Sequence, residues 1–331
     1  MNPSLHPAAV LYQGAASLPL LAACEHYAGA EKLIRKALQL QAELGPVFDI
    51  TADCEDGAAA GQERAHAEMV ASLLNDSANV HKRLGARIHD ITHPHWRDDL
   101  GIIIGRAGRQ VAYIVLPKPN SAADAAAQIA ALNEVRQQHG IVREIPVHVL
   151  IETPGALHEV WQIAALPGVE SIDFGLMDFV SAHHGAIPDS AMHSPGQFSH
   201  PLIVRAKCEI AAAALGNGIV PAHNVTTELR DPGVVREDAR RARNEFGFLR
   251  MWSIHPGQIQ PIIDAMRPTP GEVNEAAGIL LAAQNANWGP ISWAGILHDR
   301  ASYRYYWELL CRAQVTGVLL SAEIRQRFFT H

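Results

Sequence analysis

VHVLIETPGALHEVWQIAALPGVESIDFGLMDFVSAHH, residues 147–184, is the stretch whose reading decides the fold. Val147 to Ile151 is a short, nearly continuous apolar run that ends on Glu152 and is stopped by Pro154-Gly155, the pattern of a strand buried on both faces. Ala156 to Ala165 has helical spacing, with Leu157, Val160, Trp161 and Ala164 on one side, and Leu166-Pro167-Gly168 ends it. A second strand, Ser171 to Phe174, runs into Gly175, and Asp178 is expected on the loop that follows. Two acids, Glu152 and Asp178, therefore stand just past the C-terminal ends of consecutive strands in a strand-helix-strand unit. Parallel α/β folds place their chemistry at that edge. Two carboxylates converging there repel unless a cation lies between them, and a hard divalent ion such as Mg²⁺ suits such oxygen ligands. The competing structural reading makes Glu152 a helix cap and Asp178 a solvated loop acid.

Working outward, the same alternation repeats along the chain. Strands are expected at about Ala8–Leu11, Pro46–Thr51, Ala86–His89, Val111–Leu116, Ile219–Ala222 and Arg250–Ile254, besides the two above. Helices are expected at about Glu31–Glu43, Glu63–Leu74, Trp96–Ile104, Ala122–Gln138, Pro201–Leu215 and Pro232–Phe246. Residues 22–27 read as a loop, and the segment between Gln13 and Pro19 as loop too. Eight strand-helix units in about 260 residues match a (β/α)₈ TIM barrel. An open doubly wound sheet competes, but no G-x-G-x-x-G or G-x-x-x-x-G-K-[ST] follows any strand, which removes its usual nucleotide-binding forms. Beyond Met266 the pattern changes to helices only, about Glu272–Ala286 and Ala301–Val318. The expected organisation is a barrel over residues 1–267 and a helical C-terminal extension over 268–331, serving as lid or oligomer contact.

Composition narrows the function. A net charge of −7 with no lysine or arginine block argues against nucleic-acid or anionic-membrane partners, and Arg236 to Arg243 alternates with acids like a solvated helix face. The four cysteines, Cys24, Cys54, Cys208 and Cys311, have no CxxC spacing, which argues against a zinc site or disulfide framework. No apolar run approaches the ~18 residues of a membrane span, and no basic segment opens the N-terminus, so a soluble cytoplasmic protein is expected. The histidines His89, His93, His95, His183, His184 and His193 fall on different loops without a helical i, i+4 pair, so ordinary loop or substrate contacts outrank a transition-metal site.

Several strand-end motifs taken together resemble the citrate lyase β-subunit and malyl-CoA lyase group of the HpcH/HpaI aldolase superfamily. They are Asp53-Cys54-Glu55-Asp56, Arg87-Ile88-His89, Pro117-Lys118, Ile151-Glu152-Thr153, Gly175 to Asp178, and Gly247-Phe248 followed by Ile254-His255-Pro256-Gly257-Gln258. The resemblance runs from about residue 45 to 310. It implies a Mg²⁺-dependent lyase that cleaves or forms a carbon-carbon bond next to a thioester or keto acid, with Glu152 and Asp178 as metal ligands. Arg87 would be a fixed donor for the substrate's carboxylate or oxyanion, with Glu55 and Asp56 holding Arg87 or metal-bound waters. Lys118 and Met177 would contact substrate, and Asp299, on the appendage of the same or a neighbouring subunit, would exchange the proton with the enolate carbon. The structural alternatives are a surface arginine paired with Glu55, a solvated Lys118, and an Asp299 that merely caps the last helix. The chain departs from the family at His89, where asparagine is usual, at Ala222-His223-Asn224, and at its N-terminal strand. Relatives suggest a homo-oligomer, trimer or hexamer. The leading function is cleavage or formation of a malyl- or citryl-CoA-type β-hydroxyacyl thioester. A class II pyruvate-type aldolase acting on free 4-hydroxy-2-keto acids, and a catalytically silent paralogue binding a small acid, are the alternatives.

Overall fold

The computed structural model describes residues 5–12 and 17–329, so the part of the expected N-terminal loop at 13–16 lies outside the described residues. The order of elements is α1 (Pro7–Leu11), β1 (Cys24–Ala28), α2 (Glu31–Leu44), β2 (Phe48–Asp53), α3 (Glu63–Leu74), β3 (Leu84–Arg87), α4 (Trp96–Ala107), β4 (Ile114–Leu116), α5 (Ala122–Gln138) and β5 (Val147–Ile151). Next come α6 (Pro154–His158), α7 (Val160–Ala164), β6 (Val169–Phe174), α8 (Leu176–Ser181), α9 (Pro201–Gly216), β7 (Val220–His223), α10 (Pro232–Phe246), β8 (Arg250–Ser253) and α11 (Pro256–Met266). The chain continues with α12 (Pro270–Asn285), β9 (Ile291–Trp293), β10 (Ile296–His298) and α13 (Arg300–Val315). Strands β1 to β8 pair in parallel, each with the next, and β8 closes on β1, which makes the eight-stranded (β/α)₈ barrel.

The chain forms two compact units. One is Ala22–Met266 and holds the barrel; the other joins the N-terminal end, up to Leu21, with the chain from Arg267 onward. The second unit has its own apolar core, including Leu11, Tyr12, Leu280, Trp288, Tyr303 and Leu310. Its long helix α12 begins with a full capping box, Thr269 and Glu272 satisfying each other's backbone donors.

Inside the barrel the inward positions follow the period of two that strands impose. Tyr27, Tyr113, Val115, Leu150, Ala222 and Trp252 pack as one apolar cluster. Two residues away on the same strands lie Glu25, His148 and Arg250, all fully buried. Arg250 NH2 is 2.8 Å from Asp49 Oδ2 and 3.1 Å from Glu25 Oε2, and His148 Nδ1 is 3.3 Å from Glu25 Oε2. Burial alone would push Glu25 up, but Arg250 and His148 overcome it and bring its pKa to about 2. His148, which burial would push down, is raised by Glu25 and Glu170 to about 10. The floor of the barrel is thus an ion network where most cores are apolar.

Four expectations are corrected. Residues 8–11 are helix α1, because Pro7 occupies the first helical turn and His6 Nδ1 accepts from the Ala8 amide. The first strand is β1, in the segment expected to be loop, where the buried charged Glu25 interrupts the apolar run that marks a strand. The expected helix 156–165 is two one-turn pieces, α6 and α7, broken at Glu159, and Trp161 is exposed rather than on the packed side. The C-terminal segment is not helices alone: β9 and β10 form an antiparallel hairpin, with Ala294 and Gly295 both at positive φ in its two-residue turn.

Candidate active site

The C-terminal mouth of the barrel gathers most of the expected site residues. Arg87 ends β3 opposite Asp53, its register partner at the end of β2. Its Nε and NH2 donate to the two Asp53 oxygens at 2.7 and 2.5 Å, and NH1 lies 2.9 Å from Glu55 Oε2. The guanidinium also rests over the Tyr27 ring, 5.4 Å from its centroid. Asp53 further accepts the amides of Glu55 at 3.0 Å and Gly57 at 2.8 Å. Burial opposes ionisation of Asp53, yet Arg87 and these amides hold it below the usual carboxylate range. Its role is to fix Arg87: two of an arginine's five N–H donors, on Nε and NH2, are spent on Asp53, while NH1 pairs with Glu55 by charge.

Lys118 is the hub that sequence reasoning undervalued. It follows β4 between Pro117 and Pro119 with φ +49, in the left-handed region. Its Nζ lies 2.6 Å from Glu55 Oε1, 2.7 Å from Asp56 Oδ2 and 3.5 Å from Asp178 Oδ1, while its amide donates to Glu152 Oε1 at 2.7 Å. Burial would lower its pKa, but Asp56 and Glu55 raise it. One residue thus links four acids, Glu55, Asp56, Asp178 and Glu152. Asp56 pairs with Lys118, so of the two acids expected around Arg87 it is Glu55 that touches it.

Glu152 stands directly after β5 and is buried. Desolvation, reinforced by Asp178 and Glu55 and opposed by Arg87, pushes its pKa up to about 8. Gly175, at the end of β6, makes room for it: a Cβ there would lie 2.3 Å from Glu152 Oε2. Asp178 is not on a loop as expected; it sits in the first turn of α8, two-fifths exposed, because that helix starts immediately after Gly175. Met177 precedes it, with 39 % of its surface exposed. Asp299 lies in the other unit, as the N-cap of α13, where its Oδ1 accepts from the Ala301 amide at 2.9 Å.

The residues fit a hard divalent cation. Asp53, Glu55, Asp56, Glu152 and Asp178 oppose only Arg87 and Lys118, and burial drives Glu152 and Glu55 towards protonation. Such an excess of carboxylate oxygen is the donor chemistry of Mg²⁺. Among the described residues, the tightest trio of ligand-type side chains is instead Glu25, His148 and Asp173 in the barrel floor. There Arg250 already supplies the positive charge, so that trio is an internal ion network. Beside the acids, Glu55, Asp56, Lys118, His66, His89 and His93 line a cavity of ≈ 230 Å³.

The family model described as HpcH/HpaI aldolase/citrate lyase matches residues 47–256. L-malyl-CoA/beta-methylmalyl-CoA lyase of Cereibacter sphaeroides is 27% identical over 268 residues, 77% of this chain and 84% of its own length. A citrate lyase from Burkholderia xenovorans LB400, known from its crystal structure, is 56% identical with a TM-score of 0.86, covering 98% of this chain and 100% of that one. CitE from Mycobacterium tuberculosis, crystallised with magnesium, acetoacetate and coenzyme A, is 21% identical with a TM-score of 0.67, covering 90% of this chain and 98% of that one, a likeness of fold.

Proposed function

The chain belongs to the HpcH/HpaI aldolase/citrate lyase family and is a carbon-carbon lyase, and from that premise we propose that it cleaves or forms a β-hydroxyacyl thioester of the malyl- or citryl-CoA type with the help of Mg²⁺. The observation that carries the reading is the contact chain Arg87–Glu55–Lys118–Asp178, with Glu152 hung on the Lys118 amide. It concentrates acids, and two cations to order them, at one barrel mouth. A named relative acts on malyl-CoA, and another is crystallised with magnesium and coenzyme A, which supports the same substrate class here.

Glu152 and Asp178 would hold Mg²⁺, which when bound supplies a Lewis acid for the oxygens on which negative charge develops. Arg87, fixed by Asp53, keeps N–H donors for the substrate's carboxylate or oxyanion without having to reorganise. Lys118 holds Glu55, Asp56 and Asp178 together and offsets their repulsion, which keeps the acid ring compact before substrate arrives. Asp299 is assigned the proton exchange with the enolate carbon on the family likeness; its Oδ1 accepts from the Ala301 amide at the start of α13. We also propose self-association through the C-terminal unit, supported by the exposed Ile296 and Leu297 at the β9–β10 hairpin.

The test is a substrate panel: malyl-, citramalyl- and citryl-CoA beside free 4-hydroxy-2-keto acids, with release of glyoxylate, pyruvate, oxaloacetate or acetyl-CoA followed with and without Mg²⁺. Turnover of a thioester that EDTA abolishes is expected. Turnover of free keto acids alone would overturn the thioester assignment, and no turnover of either would favour a silent binder.

A further inference from the structure

His89 lies two residues beyond Arg87, and its surroundings fix the imidazole in one orientation. Its Nδ1 is 2.6 Å from Asp99 Oδ2, and the His89 amide donates to the same oxygen at 2.9 Å. Asp99 is buried on α4. The ring stacks on His93 with centroids 4.0 Å apart and an interplanar angle of 11°. A carboxylate only accepts, so Nδ1 carries the hydrogen and Nε2 is left with a lone pair. That ring lines the same cavity as Glu55 and Lys118. A purely structural tether between β3 and α4 needs the amide contact alone. A buried carboxylate that also sets the tautomer of a cavity-lining imidazole is the arrangement of an oriented base.

Resting on the carbon-carbon lyase reading, we propose that His89, oriented by Asp99, is the base that takes the proton from the substrate's hydroxyl oxygen. The O–H electron pair becomes the new carbonyl π bond, the carbon-carbon pair moves onto the leaving enolate, and the proton stays on Nε2. The enolate carbon then receives one proton, from Asp299 or water, and His89 returns its own to solvent, so no further reactant is consumed. In the condensation direction the same imidazolium gives the proton back to the forming alkoxide.

Burial disfavours the imidazolium, but the Asp99 carboxylate overrides it and holds His89 above its ordinary value. The charged and titratable groups facing it are Asp99 from α4, Glu63 and His66 from α3, Glu55 and Asp56 before α3, Asp90 and His93 before α4, and Lys118 after β4. Negative groups dominate this set, so the activity limb on the acid side is expected above the ~6.5 of a free imidazole.

The experiment has two arms. With whichever substrate the wild-type enzyme turns over, His89→Asn should lower kcat about 100-fold with KM nearly unchanged and should abolish the acid limb of the kcat/KM profile. Asp99→Asn should move that limb to lower pH. An H89N enzyme that keeps wild-type kcat and an intact acid limb overturns the proposal. Turnover of free hydroxy-keto acids alone would refute the thioester reading while still testing His89. The second arm needs no turnover: NMR of histidine-labelled protein, with the His89 signal assigned by its loss in H89N. A hydrogen on Nδ1, an unprotonated Nε2 at high pH, and titration above an ordinary histidine are expected. A hydrogen fixed on Nε2, or no titration, refutes the assignment even if no substrate is found.

Discussion

Gly175→Ala gives the sharpest test of how the acid pair is seated. Gly175 has φ −93, so its backbone tolerates alanine and only space decides the outcome. The new methyl would lie 2.3 Å from Oε2 and 2.5 Å from Cβ of Glu152. The carboxylate cannot simply swing away, because Oε1 is held by the Lys118 amide at 2.7 Å, and the Cβ is fixed by the end of β5. Relief requires β5 and β6 to separate by roughly 1 Å, an overpacking cost of about 1–3 kcal/mol. For a chain of this length that lowers Tm by about 1–4 °C. A displacement of that size at a reacting centre costs about 100-fold in rate. The assay is thermal unfolding with and without Mg²⁺, together with kcat. G175A should lose most of the Mg²⁺-induced rise in Tm and about 100-fold in kcat. The double variant with Glu152→Ala should recover the metal-free Tm while staying inactive, since the obstacle and the ligand vanish together. Wild-type Mg²⁺ stabilisation and kcat in G175A would refute the claim that Glu152 acts from this position.

Arg87→Ala strands buried Asp53 and Glu55 and should cost about 3–5 kcal/mol, read as a fall in the urea midpoint; a loss under about 1 kcal/mol would show the pair to be solvated. His148 has its folded pKa raised to about 10, so its contribution is complete below ~6.5 and is lost as pH rises towards 10. Stability should therefore decline across that window by at most about 1.4 kcal/mol per pH unit, and His148→Gln should flatten the slope; an unchanged slope would assign it elsewhere. Ile296→Ser with Leu297→Ser should lower the mass seen by light scattering if the hairpin joins subunits, and an unaltered mass would remove that contact.

Legibility from sequence followed the physics of each segment. Strand β5 and helices α3, α5 and α10 have the boundaries expected from their apolar period and their stops. Strand β1 was missed because a charged inward residue breaks the apolar run that marks a buried strand, and α1 was misread because four apolar residues satisfy a strand and a helical turn alike. The hairpin was missed because its strands are three residues long and its turn carries Ala294-Gly295 where Asn-Gly is the familiar signal. At the site, the positions of Glu152 and Asp178 past their strands and of Arg87 at the end of its own were readable. What each one touches was not. Asp53 as the clamp on Arg87, and Lys118 as the centre of the acid ring, depend on adjacency around a closed barrel, which linear spacing does not encode. The two prolines that flank Lys118 are the sequence feature that could have drawn attention to it.

The ion network under the mouth also constrains how this barrel can change over descent. Glu25, Asp49, His148 and Arg250 come from four different strands and lean on one another for charge balance, with Arg83 and Glu170 supporting Asp49 and His148 at the edge. A lineage that loses one leaves an orphan charge in a dry interior, a step of several kcal/mol, so these positions should be inherited as a block or exchanged together for greasy residues. Drift elsewhere is gradual; here it must come in jumps.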